Sequence, residues 1–234
     1  SLDVVLIGAS QLYTGYSAPL AWQDYGFTSY PLTVSNIPAR LYGSLLTEAV
    51  NRQHPKLIVV DIDGFINDED TEKLEANLRK WIDNMPWSRN RIETIRTCVP
   101  AELQSSFYFN IAKYHANWYQ VDSWLPVQRR LRAMDKTGYS LSKGVETVCK
   151  SLPADFVPDV RPLTLSGANA QYLRDFCAQA QSIGTDVLFL RTPHRTQTTD
   201  PNVFADVAAV VGEYGYELLD LHDAFDTIGL DRCA

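Results

Sequence analysis

The stretch Asp3-Val4-Val5-Leu6-Ile7-Gly8-Ala9-Ser10-Gln11-Leu12 decides the fold. Val4 to Ile7 are apolar without alternation, so a strand here is covered on both faces, the mark of a parallel sheet between helical layers. The run stops at a glycine, and a serine follows in the turn that leads to a helical pattern. Runs of the same kind span Asp3–Gly8, Ser29–Val34, Lys56–Ile62, Asp186–Arg191 and Glu217–Leu221. Between the second and third, Ala39–Gln53 sets Leu41, Leu45, Leu46 and Val50 at helical spacing and ends before His54-Pro55. Between the fourth and fifth, Pro201–Tyr214 does the same with Phe204, Val207, Ala208 and Val211. Repeated β-α units predict a single α/β domain over residues 1–234, a three-layer α/β/α sandwich around a five-stranded parallel sheet.

From Asp68 to Ser166 no buried strand is predicted. Helical stretches at Glu69–Met85, Leu103–Trp118 and Trp124–Met134 carry the aromatic anchors Trp81, Trp87, Trp118 and Trp124. A segment this long exceeds a normal crossover connection, so residues 68–166 read as a helical insertion lying over one end of the sheet. Pro153, Pro158 and Pro162 lead back to a helix at Ala168–Ser182.

Composition bounds the partners. Lys and Arg number 21 against 28 Asp and Glu, a formal charge of -7, which offers no footprint for nucleic acid. No apolar stretch approaches the ~18 residues of a membrane span, so this segment is expected to make no membrane contact. The first strand opens at once, with no leader before it, so an upstream segment is expected to have been cut away. Cys98, Cys149, Cys177 and Cys233 form no Cys-x-x-Cys pair and no cluster with histidine, and read as buried or surface thiols or, in an oxidising compartment, with two of them joined in a disulfide.

Chemistry is expected at the carboxyl edge of the sheet, where open α/β folds place ligands. Ser10 stands there, either as a nucleophile or as the cap of the following helix. The run Val4-Val5-Leu6-Ile7-Gly8-Ala9-Ser10-Gln11, then Trp22-Gln23-Asp24-Tyr25-Gly26 and Ser29-Tyr30-Pro31-Leu32, resembles the opening of a bacterial cell-surface group within the SGNH (GDSL-like) hydrolases. The likeness continues through Leu45–Val50, Pro55–Asp61 and Tyr114-His115-Ala116-Asn117-Trp118.

That resemblance implies a flavodoxin-like sheet and serine-dependent hydrolysis or transfer of an acyl ester. The substrate it implies is an acylated cell-surface carbohydrate or a small acyl ester, handled outside the cytoplasm without metal or organic cofactor. A membrane anchor is implied for the full-length protein. Ser10 takes the nucleophile's place, with Ala9 where the family has aspartate. Ser35-Asn36 takes the place of the second block's oxyanion donor, usually glycine, and Asn67 in Gly64-Phe65-Ile66-Asn67-Asp68 loosely matches the third block. Asn67-Asp68 also reads as an N-terminal cap for the acidic helix after it. The family's Asp-x-x-His segment is not in this sequence, so the base is expected in a C-terminal extension or, failing that, at His222 or His115.

Two other readings remain open at this point. The fold can serve as a non-catalytic glycan-binding or assembly module. Ile58-Val59-Val60-Asp61-Ile62-Asp63-Gly64 also looks like the first motif of Mg²⁺-dependent haloacid-dehalogenase-like phosphatases, with Asp61 as nucleophile. Otherwise Asp61 and Asp63 are strand-end carboxylates that accept amides from the turn.

Overall fold

The computed structural model describes residues 1–67, 69–109, 160–193, 197–198, 200, 202–222 and 224. In chain order the first half contains β1 (Val4–Gly8), α1 (Ser10–Gly15), α2 (Ala18–Tyr25), β2 (Ser29–Thr33), α3 (Tyr42–Gln53) and β3 (Leu57–Asp61). After them come α4 (Asp63–Ile66), α5 (Leu74–Ile82), α6 (Arg89–Cys98) and α7 (Gln104–Tyr108). The remainder holds β4 (Val160–Arg161), α8 (Gly167–Ile183), β5 (Asp186–Arg191), β6 (Gln197–Thr198), α9 (Val203–Gly212) and β7 (Leu218–Asp220).

The fold class is the one the apolar runs predict. Five parallel strands form one sheet in the order β2-β1-β3-β5-β7, flanked by helices in an α/β/α arrangement. In register, Val4 lies opposite Ser29 on one side and Leu57 on the other. Because β2 and β3 fall on opposite sides of β1, the connections reverse direction there and leave a crevice outside the carboxyl ends of β1 and β3. A two-residue parallel ladder, β4 with β6, lies apart from this sheet and has no signature in the sequence.

One face of the sheet carries the main core. Val5, Ile7, Ile58, Val60 and Phe189 pack under α3, α8 and α9, with Tyr42, Phe65, Phe176 and Phe189 in a chain of ring contacts at 4.2–6.4 Å. The other face is less closed than continuous apolar runs predict: Leu6 is buried, but Val59, Leu188 and Leu190 are half-buried.

Of the expected insertion, residues 69–109 and 160–166 are described: the first carries helices α5, α6 and α7 and is seated on α3 through Ser44, and the second includes β4. The Ser44 hydroxyl accepts from Trp81 Nε1 at 2.9 Å and from Thr94 Oγ1 at 2.7 Å, while Asn90 Nδ2 donates to its carbonyl at 3.0 Å. Trp81 and Phe107 are buried as anchors. Trp87 is not: it is 63% exposed, with the Arg91 guanidinium 4.6 Å above its ring. Residues 110–159, with Trp118, Trp124 and the helices expected beyond Phe109, lie outside the described residues. Cys98 and Cys177 are buried free thiols, and burial pushes Cys177 up to about 12.

Candidate functional site

Ser10 is the first residue of α1, directly over the carboxyl end of β1. Ala9, in extended conformation, occupies the cap position and no side chain caps the helix. Capping therefore does not account for the serine, whose hydroxyl has no hydrogen-bond partner among the described residues. The turn is tight beneath it. A Cβ on Gly8 would lie 2.5 Å from Asp61 Cβ and 3.0 Å from Leu12 Cδ1, so only glycine lets β1 and β3 close here.

Asp61 ends β3 fully buried, and its Oδ2 accepts the Ala9 N–H at 3.4 Å, while Oδ1 has no partner. Burial, then the nearby Asp63, raises its carboxyl well above the usual carboxylate range, against the turn amides of Ala9, Asp63 and Ile62. Two residues on, Asp63 is also buried and its Oδ2 accepts from Gln11 Nε2, which ties α4 to α1. Tyr42 closes the floor: its hydroxyl donates to the Asp61 carbonyl at 2.9 Å and accepts the Gly64 N–H at 3.2 Å. Burial, then Asp61 and Asp63, pushes that phenol well above its ordinary value. A Cβ on Gly64 would strike the Tyr42 ring and hydroxyl at 2.6 Å.

Across the crevice, Val34 N–H donates to Gly8 carbonyl at 3.0 Å, and the chain then turns at Asn36 with φ 53°. Asparagine is one of the few L-residues that tolerates this left-handed region. Lys80 Nζ secures the turn by donating to the Ser35 carbonyl at 3.0 Å. On the α4 side, Asn67 Nδ2 donates to the Asp63 carbonyl at 2.7 Å. This bond overturns the expected N-cap role for Asn67, because it closes the end of α4, whereas α5 begins only at Leu74 behind Lys73.

These elements enclose one cavity of about 310 Å³, within the usual size of small-ligand sites. Ser10, Asn36 and Asn67 all line it, so three residues singled out from separate parts of the sequence meet at the topological switch. Ala9, Gln11, Asp63, Glu69, Asp70, Lys73 and Asn77 contribute the rest of its polar rim and walls, with Ile37, Pro38 and Leu74 as apolar patches. Glu69 is held by Arg40 in a two-pronged pair at 2.7 and 2.6 Å.

No protein-family model and no curated protein matches this chain.

Other candidates are placed elsewhere. Ser35 serves the turn through its carbonyl and is not in the cavity wall. His222 follows the edge strand β7, its N–H bonded to Asp220 Oδ1 at 2.9 Å, and is not in the wall either. Two strands separate β7 from β1, about 14 Å at ordinary strand spacing. His115 lies outside the described residues. Asp61 does not suit a phosphatase nucleophile, which has to be ionised and reach its ligand: it is fully buried, biased toward its neutral form and absent from the cavity wall. It instead accepts an amide across the crevice from the Ser10 turn. Asn77 and Gln11 line the cavity without having been singled out in the sequence, since each sits inside a helix with nothing in its spacing to mark it.

Proposed function

We propose that this chain is an SGNH-like domain in which Ser10 hydrolyses or transfers the acyl group of an acylated carbohydrate, outside the cytoplasm. The observation that supports this most is a serine hydroxyl without a partner among the described residues, lining a cavity at the topological switch and sharing it with Asn36 and Asn67. In the proposed reaction Oγ attacks the acyl carbonyl carbon and its proton passes to a histidine base, supplied by a C-terminal extension or by His115, since His222 stands too far from Ser10 to take it directly. The carbonyl electrons move to oxygen, and the Ser10 N–H, free of an intrahelical acceptor at its position, holds the oxyanion together with Asn36. The alcohol leaves with the proton, and water or a second hydroxyl then takes the acyl group from Ser10.

The test is hydrolysis of p-nitrophenyl acetate and of acetylated xylan, with fluorophosphonate labelling read by mass spectrometry. Ser10→Ala is expected to abolish labelling and to lower hydrolysis at least ~10²-fold. Hydrolysis that survives Ser10→Ala, or that a chelator removes, defeats the proposal. Among the described residues no histidine lines the cavity, which favours a second reading: the same cavity binds a glycan without cleaving it. Xylan binding with no Ser10-dependent turnover selects that reading.

A further inference from the structure

The polarity of the cavity wall is fixed by what stands behind it. A backbone carbonyl can only accept, so Asn67 gives its Nδ2 to the Asp63 carbonyl and keeps Oδ1, an acceptor, for other use. An ammonium can only donate, so Lys80 Nζ takes Asn77 Oδ1 at 2.8 Å and leaves Nδ2, a donor. Asn77 is 8% exposed and lines the cavity, and its Nδ2 has no partner among the described residues. Lys80 also holds the Ser35 carbonyl, so one cation sets both the Asn36 turn and the Asn77 amide.

Charge at the wall runs against an anionic ligand. Asp63, Glu69 and Asp70 supply carboxylates, and Lys73 is already paired with Asp70 at 2.9 Å. Arg40, behind Glu69, is spent on that carboxylate and on the Cys98 carbonyl. Phosphate or a uronate would meet these carboxylates with no unpaired guanidinium among the described residues of the wall to fork onto. A hydroxyl both donates and accepts, and so satisfies Asn67 Oδ1, Asn77 Nδ2 and Asn36 together.

We infer that the cavity over Ser10 takes an uncharged, hydroxyl-rich ring, a neutral sugar, and that Asn77 is the donor that fixes it. This rests on the proposed function in taking the Ser10 cavity as the substrate site. It adds the neutral class of the carbohydrate and a recognition residue, with Lys80 as the residue that positions it.

The experiment is calorimetric titration of the full chain carrying Ser10→Ala with methyl glucoside, glucuronate and inorganic phosphate. Methyl glucoside is expected to bind more tightly than either anion. Asn77→Asp, which keeps the side-chain shape and the Lys80 contact but loses the donor, is expected to weaken it about tenfold. Lys80→Met, at an exposed side chain, frees the amide to turn over and is expected to weaken binding several-fold even if Asn77→Asp does not fold. Phosphate or glucuronate binding as tightly as the glucoside, no glucoside binding, or Lys80→Met without effect overturns the inference. Ser10-dependent ester hydrolysis without glucoside binding would leave the serine chemistry standing and this inference fallen. Glucoside binding without such hydrolysis would do the reverse.

Discussion

Asp3 and Asp61 stand at opposite ends of neighbouring strands and are treated in opposite ways. At the amino end of β1, Asp3 accepts the Thr28 N–H at 2.8 Å and hydroxyl at 2.7 Å, and pairs with Lys56 at 2.7 Å. Lys56 first, then Thr28, holds its carboxyl well below the usual range. At the carboxyl end of β3, Asp61 is sealed from water with one long amide bond and an oxygen left unpartnered. Asp3 at the amino end is satisfied and ties β1 to its neighbours, whereas at the carboxyl end the fold tolerates a poorly satisfied acid beneath its cavity. Such local conflict is what a functional edge looks like in a fold that is otherwise consistent.

The largest expected effect breaks that edge mechanically. Gly8→Ala forces Cβ into Asp61 Cβ and is expected to cost about 3 kcal/mol, a fall in Tm of roughly 9 °C. Because the hardest clash is with Asp61 Cβ, at 2.5 Å against 3.1 Å for Oδ2, and asparagine keeps the same shape, the loss persists in an Asp61→Asn background; rescue there would show that charge, not crowding, reserves the position for glycine.

Asp61→Asn sharpens the electrostatic half. A raised folded-state pKa means that the native protein holds a proton the unfolded chain releases near pH ~3.9, so wild-type stability falls as pH rises from there toward the folded value. The variant escapes that loss. Its Tm is expected to exceed wild type by roughly 3 °C at pH 8 and to match it at pH 4, in thermal melts across that range. A difference independent of pH would remove Asp61 as its source.

Asp3→Asn gives the smallest effect and the opposite sign. A depressed pKa adds stability above pH ~3.9 that is lost as pH falls through the folded value. The variant is expected to melt slightly lower than wild type at pH 7, to converge with it at strongly acid pH, and to lose the difference in 1 M salt. A larger loss than that of Gly8→Ala would invert the comparison.

The sheet was legible because its strands are runs of β-branched and leucine side chains with turns between them, and such runs have few alternatives. Helix α6 was not legible, because its inward face is Arg91, Thr94, Ile95 and Cys98, mostly polar groups satisfied by Trp87, Met85 and Ser44. Hydrophobic periodicity cannot find a face that buries hydrogen bonds. The same blindness hid Asn77, a polar residue on the buried side of α5. Ser10 was legible as the residue that ends the turn after the first strand, whereas Asn36 and Asn67 were marked only by the family resemblance, and the topology gathers all three at one edge. The role of Asn67 was misread, since a residue that closes α4 and one that opens α5 look alike in sequence.

Edge strand β2 carries Pro31 opposite Leu6. The flanking bonds, Val4 N–H to Thr28 carbonyl and Val34 N–H to Gly8 carbonyl, turn the even-numbered residues of this strand toward β1. Pro31 therefore faces outward, and the donor it lacks is missing from the open side. A strand from a second molecule docking there would meet a gap in the middle of its ladder and the pyrrolidine ring in its path. At the opposite margin β7 offers only three residues. The sheet is thus guarded at both borders against growing by addition of further copies, a protection against aggregation written into one imino acid and one short strand.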